Sequence, residues 1–230
     1  MPLRILIVGH GRMGQLVEAV AASHDATVVG VVDEANASAL GDRDRWGEVD
    51  VAIEFSHAAA FLENLPALLS LGANLVVGTT GWQAQGDTVR AAIEGAGRGA
   101  VVAANFSVGA NLLDALAERA GRLFEPHADY GAFIHESHHA AKRDAPSGTA
   151  LALRGALERG GLSRPVDMSS TRAGFIPGIH SIGFDGPGET LTLTHDVRDR
   201  ATFAHGALVA ANWVRGRKGW FTMQQVLGLA

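Results

Sequence analysis

The chain contains no cysteine, and that absence removes disulfides, thiolate chemistry and every Cys-ligated metal from consideration. It has no run of eighteen or more apolar residues, so no bilayer-spanning helix is expected. The opening Met1-Pro2-Leu3-Arg4-Ile5 enters an apolar, strand-like run without a signal-peptide pattern, which makes a cytoplasmic location the default expectation. Low-complexity tracts and internal repeats are also missing. Positive charge is in short supply: 19 Lys and Arg against 24 Asp and Glu leave a net charge of −5. That balance argues against nucleic acid or an anionic membrane as the main partner. What remains, 230 residues at 47% hydrophobic and 19% charged, suits one large or two modest soluble domains with a substantial core.

Glycine, by contrast, is abundant, with 29 residues, and its placement is informative. Leu3 to Val8 is a short β-branched apolar run that meets Gly9-His10-Gly11-Arg12-Met13-Gly14. Leu16, Val17, Ala19 and Val20 follow at helical spacing, and a second apolar run, Thr27 to Val32, ends at Asp33-Glu34. Strand, glycine turn, helix, strand and acid in that order form a dinucleotide-binding unit. Gly9 allows the tight turn, Gly11 lets the backbone approach a pyrophosphate, and Gly14 permits close helix-on-strand packing. The acid is placed to accept hydrogen bonds from ribose hydroxyls. Asp33 and Glu34 would repel a 2′-phosphate, which favours NADH over NADPH, while Arg43 and Arg45 nearby soften that preference.

Alternation continues through the first half. Val49 to Phe55, Leu75 to Val77 and Ala100 to Ala104 read as strands; Ala58 to Leu71 and Val89 to Ala96 read as helices. The fold class is therefore α/β, a Rossmann-like, doubly wound parallel sheet. Ligands in such sheets lie beyond the carboxyl ends of the strands. Glu54-Phe55-Ser56, Gly78-Thr79-Thr80-Gly81 and Ala104-Asn105-Phe106-Ser107 all fall there, so Phe55, Gly78, Thr79, Thr80, Ala104, Asn105 and Phe106 join the candidate cofactor lining.

From residue 107 the pattern changes. Asn111 to Phe124 is helical, Asp129 to Ile134 alternates, and Thr149 to Arg159 is helical again. Three strand-like pieces follow at 168–172, 178–184 and 189–195, which predicts a separate α+β domain, 107–204, with a mixed or antiparallel sheet. Ala204 to Val214 reads as a helix, and 205–230 is expected to pack back on the first domain, 1–106.

Between the two helices of the second half lies the densest chemistry of the chain: Glu136-Ser-His138-His139-Ala-Ala-Lys142-Arg-Asp-Ala-Pro146-Ser147-Gly148-Thr149. Imidazole carries protons near neutral pH and lysine supplies a fixed positive charge. Pro-Ser-Gly-Thr opens a helix whose first N–H groups hold an anion. Proton donors, a cation and an anion cradle together describe a pocket for a small carboxylate. The same stretch formally contains HExxH, from His135 to His139. Zinc-protease chemistry needs both histidines one turn apart on a helix. Here the alternation of Tyr130, Ala132 and Ile134 indicates a strand, in which the two imidazoles would be roughly 13 Å apart. No metal is expected.

In order along the chain, Gly9-His-Gly-Arg-Met-Gly14, Gly78-Thr-Thr-Gly81, Asn105-Phe-Ser-Val-Gly109, the Glu136 to Thr149 segment and Arg172-x-Gly-x-x-x-Gly178-x-His180 resemble the dihydrodipicolinate reductase family, over nearly the whole chain. The resemblance implies hydride transfer from NADH or NADPH to a small cyclic dicarboxylate, with loss of water, in the diaminopimelate route to lysine. It implies His138 as proton donor and Lys142 as proton donor or electrostatic partner. It places His139, Ser147, Gly148, Thr149 and Thr80 on the substrate carboxylates. It also implies a homotetramer built through the sheet of the second domain. Two rival readings remain: another nicotinamide-dependent dehydrogenase, and a non-catalytic dinucleotide sensor. Neither needs His-His-x-x-Lys before Pro-Ser-Gly-Thr.

Overall fold

The computed structural model describes residues 1–229. It divides into two compact units, Met1–Val108 together with the chain from Ala201 onward, and Gly109–Arg200.

The first unit is a six-stranded parallel sheet in the order β2 (Ala26–Val32), β1 (Leu3–Val8), β3 (Val51–Glu54), β4 (Asn74–Val77), β5 (Gly99–Val102) and β10 (Gly219–Phe221). Alternate residues of β1 feed two different cores, as the period of two demands. Leu3, Ile5 and Ile7 pack into one with α1 (Arg12–Val20) and α7 (Ala201–Val214), while Leu6 and Val8 pack into the other with α3 (Ala58–Leu71) and α4 (Gly86–Gly95). Both faces are thus covered, and each fully buried Ile or Leu contributes roughly 1.5–3 kcal/mol. The short helices α2 (Arg43–Trp46) and α8 (Met223–Val226) complete this unit. Strand order reverses between β1 and β3, the position where sheets of this kind open a ligand crevice. The C-terminal return is anchored by the buried Asn74 side chain, which donates to the carbonyls of Val214 and Arg217 and accepts from the Gly99 N–H. These bonds hold β10 beside β5, an added strand that the sequence pattern does not reveal.

The second unit is a four-stranded mixed sheet in the order β7 (Val166–Arg172), β6 (Gly131–His138), β8 (Ile179–Asp185) and β9 (Thr190–Asp196). Strand β6 runs parallel to β7 and antiparallel to β8, and β8 is antiparallel to β9. Two helices, α5 (Val108–Phe124) and α6 (Gly148–Arg159), cover one face. Leu113, Ala117, Leu153 and Leu157 pack there on Ala132, Ile134, Ile182 and Phe184, and the Phe124 ring stacks on Phe184 at 3.9 Å. Strand β6 extends past Ile134 to His138, through the stretch whose alternation indicates a strand. Polar residues there disguise a strand whose tip is buried. Among the described residues no helix is long and apolar enough to cross a membrane.

Candidate active site

In the first unit, a cavity of about 780 Å³ opens at the carboxyl ends of β1, β2 and β3. Its walls include Gly9, His10, Gly11, Asp33, Glu34 and Phe55. Gly9 has φ +89°, and a Cβ there would lie 2.6 Å from the Phe55 carbonyl carbon. At Gly14 a Cβ would come within 2.1 Å of the Gly9 carbonyl oxygen, whereas at Gly11 it would project into open space. Gly9 and Gly14 are therefore required by packing, and Gly11 keeps clear the approach to the start of α1, where helix N–H groups favour a phosphate. The cradle fits a dinucleotide. Arg12 begins α1 exposed to solvent, Met13 packs against the core, and His10 Nε2 lies 2.8 Å from Glu18. Asp33 and Glu34 are exposed at the end of β2. Of the two arginines read as softening their charge, Arg43 donates to the Ser70 carbonyl at 2.9 Å and Arg45 lies over the Trp46 ring at 4.8 Å.

The remaining residues expected to line the cofactor lie past the ends of β3, β4 and β5. The Phe55 ring occupies the space that a side chain at Gly78 would need, and Phe106 meets it edge-on at 5.9 Å. Thr79 is buried, with its hydroxyl donating to Glu54 Oε1 at 3.0 Å. Glu54 Oε1 also accepts from the Ser56 N–H at 2.7 Å and from the Ser56 hydroxyl. Burial raises the Glu54 pKa, and these neutral donors only partly offset it. Thr80 and Ala104 are exposed, and Asn105 accepts from the Ser107 N–H.

In the second unit, β6 presents Ala132, Ile134, Glu136 and His138 on its helix-covered face, so the apolar stripe turns polar at the strand tip. Register brings in the neighbours: Glu136 is paired with Ser170 and His180, His180 with His195, and His138 with Arg172. Glu136 is 0% exposed. Its Oε1 accepts from Arg172 at 2.7 Å and from the Ser147 N–H at 3.3 Å, and its Oε2 touches His138 Nδ1. Burial alone would raise the Glu136 pKa; the Arg172 and Ser170 hydrogen bonds, with the charges of His138 and Arg172, outweigh it and bring the carboxyl to about 2. Burial lowers the pKa of His138, Glu136 pulls it back up, and Lys142 and Arg172 lower it. His180 is pushed down to about 4, by burial first and the adjacent His138 second.

Ser147 caps α6, its hydroxyl accepting from the Ala150 N–H at 3.2 Å and meeting His180 Nε2 at 3.1 Å. Gly148 opens α6 and Thr149 follows in its first turn, where the sequence pattern predicts that an anion is held. His139 follows β6, half-buried, and Lys142 Nζ bonds both Asp144 carboxylate oxygens at 2.8 and 2.9 Å. His135 faces the other side of the sheet, between Ser169 and Ser137 hydroxyls, so the HExxH spacing has no helix to act on. Glu136, His138 and His180 do offer three ligand atoms within 4.8 Å of one another. A divalent ion there would have to displace Arg172 and His138 from Glu136 and add charge beside Arg172 and Lys142, so the cluster suits a shared proton better.

Glu136, Arg172 and His180 belong to this cluster but were not singled out as functional from the sequence alone. The usable signal was the alternation on β6, which puts Glu136 on the same face as His138; the roles of Arg172 and His180 need the sheet register.

Both halves of the chain match known proteins. Residues 3–106 match the family described as dihydrodipicolinate reductase, N-terminus, and residues 109–227 match dihydrodipicolinate reductase, C-terminus. The chain belongs to the dihydrodipicolinate reductase family. It is 42% identical over 231 residues to a 4-hydroxy-tetrahydrodipicolinate reductase of Stenotrophomonas maltophilia (strain K279a), covering 94% of this chain and 93% of that one. It is 38% identical to the enzyme of that name from Neisseria meningitidis serogroup B, covering 99% and 98%. That second alignment runs over 269 positions, so the relative carries insertions that this chain lacks. In fold it is similar to a dipicolinate-bound dihydrodipicolinate reductase from Paenisporosarcina sp. TG-14, with TM-score 0.84, 24% identity and coverage of 98% and 99%. A probable dehydrogenase from Thermotoga maritima shares the architecture more loosely, with TM-score 0.58 and 11% identity.

Proposed function

We propose that the chain is an NAD(P)H-dependent reductase acting on 4-hydroxy-tetrahydrodipicolinate, with loss of water, in the diaminopimelate and lysine route. The observation that carries this reading is the polar tip of β6, where a buried carboxylate, an imidazole and a guanidinium converge beside the start of α6, in a chain matched to the family over both units. A bound nicotinamide supplies the hydride. The chain's own residues do the rest. The Gly9 to Gly14 turn and the start of α1 hold the pyrophosphate, and Phe55, Gly78, Thr80 and the Ala104-Asn105-Phe106 backbone border the nicotinamide.

His138 supplies the proton. Its ring is buried and paired on one side, which suits proton transfer in a dry site. The start of α6 at Ser147, Gly148 and Thr149, with His139, takes the substrate carboxylates. Lys142 adds a positive charge for which a dicarboxylate competes with Asp144. Asp33 and Glu34 bind the ribose hydroxyls and disfavour a 2′-phosphate; the engagement of Arg43 and Arg45 elsewhere supports NADH as the preferred reductant. The second unit assembles a homotetramer through its sheet, and the enzyme works in the cytoplasm.

The test follows NADH absorbance after adding substrate freshly formed from pyruvate and aspartate semialdehyde by a separate synthase. Fast, substrate-dependent oxidation is the expected result. No oxidation with either reductant, by protein that binds NADH, would overturn the reading in favour of a dehydrogenase with another substrate.

A further inference from the structure

Glu136 is fully buried, and its carboxylate meets groups from β6, β7 and the start of α6. It lies two residues before His138 on one strand, so the sheet itself fixes their separation. Arg172 on the neighbouring strand β7 holds Oε1 at 2.7 Å and also donates to the Asp144 carbonyl at 2.6 Å. The Ser147 N–H donates to Oε1 as well. That leaves Oε2, which lies against His138 Nδ1; both atoms are buried. A buried carboxylate oxygen against a buried ring nitrogen is satisfied by a proton between them. On the far side of the ring, a Cβ at position 178 would lie 3.1 Å from His138 Nε2. Glycine at 178 therefore leaves Nε2 uncovered, while Nδ1 is enclosed.

We propose that Glu136 is the positioning residue of the site: it keeps a proton on Nδ1 of His138, directs Nε2 to the substrate as the transferring atom, and is itself fixed by Arg172. This rests on the reading of His138 as proton donor. The charged and titratable groups facing His138 are Glu136 on β6, Lys142 beyond its end, Arg172 on β7 and His180 on β8, with His195 on β9 behind His180. Only Glu136 among them favours the charged imidazole. During transfer the N–H bond at Nε2 breaks as the substrate takes the proton; Nδ1 keeps its own, and the imidazolium becomes neutral imidazole. Solvent restores the lost proton.

The test compares wild type, Glu136→Gln, Glu136→Asp and His138→Gln as full-length protein with saturating NADH, reading kcat/KM against pH and the NADH Kd. Glutamine removes the charge and turns an N–H toward Nδ1, so His138 loses its proton at lower pH. The expected result is a fall in kcat of about a hundredfold near neutrality, with the alkaline limb of the profile moved down by about one pH unit or more. Glu136→Asp restores part of the limb position, and NADH affinity is unchanged. A Glu136→Gln profile whose alkaline limb stays in place, whatever its height, overturns the positioning role while His138 stands. Wild-type turnover in His138→Gln removes both readings together. Imidazole ¹⁵N resonances of the wild-type holoenzyme give the tautomer without any variant: a protonated Nδ1 on His138 is expected, and a bare Nδ1 would overturn the proposal even if the variants fail to fold.

Discussion

Two glutamates of this chain, Glu54 and Glu136, are both 0% exposed and both lie near the end of a strand, yet their surroundings drive them in opposite directions. Glu54 receives only neutral donors, from Ser56 and Thr79, and burial raises its pKa. Glu136 faces a guanidinium and an imidazole and is held down at about 2. Desolvation opposes the charged form in both places; at Glu136 the Arg172 and Ser170 hydrogen bonds and the neighbouring positive charges reverse it. The first carboxyl acts as a tie, joining the ends of β3 and β4. The second is a source of charge. On the proposed reading this difference separates the two units chemically: one would bind through backbone and glycine, the other would move protons through side chains.

The largest effect that can sharpen this contrast is expected at Lys142, whose replacement by alanine lowers kcat on the order of a hundredfold while the NADH Kd stays nearly constant; a titration of protein fluorescence beside the steady-state assay separates the two. A shift of both together would mean that the units do not divide the work. The binding side can be broken in its own way. Gly14→Ala places a methyl group against the Gly9 carbonyl and costs about 1–3 kcal/mol or more, measured by urea unfolding, with loss of NADH binding.

Next in size is a pH effect on stability. His180 titrates at about 4 in the folded chain against 6.5 in the unfolded one. The unfolded state therefore binds the extra proton first as pH falls. Stability drops progressively between pH 6.5 and about 4, whereas the contribution of ionised Glu136 survives until pH falls from 4.5 toward 2. Thermal melts at pH 7, 5.5 and 4.5 check the first window, and His180→Gln flattens it. A smaller change follows Asp33→Ser, which moves the kcat/KM ratio toward NADPH by about tenfold without altering kcat. Smallest of all is Glu54→Gln: it keeps an acceptor for Ser56 and Thr79 and changes stability at pH 7 by less than about 1 kcal/mol.

Much of the first unit was legible in the sequence because parallel strands buried on both faces read as unbroken apolar runs. The helix from Ala58 to Leu71, closed by Gly72 with φ +82°, carries its own stop signal. Strand β10 was not legible: three residues cannot show a period, and its place depends on Asn74, far away in sequence. In the second unit the chemistry-bearing residues stood out by type, while their wiring did not. That Ser147 would cap a helix against His180, and that Thr79 would turn inward to Glu54, depends on which strands lie side by side. The burial of the β6 tip is hidden for the same reason, since Glu136 and His138 look solvated until Arg172 is set beside them.

The contrast between the two glutamates is tested most directly by following both carboxyl groups in one sample, using ¹³C-labelled glutamate and NMR as the pH is lowered from 7 to the point of unfolding. Glu54 is predicted to take up its proton first, above the ordinary range for a glutamate, with Glu136 still ionised when the fold gives way. Protonation of Glu136 before Glu54 would contradict the account.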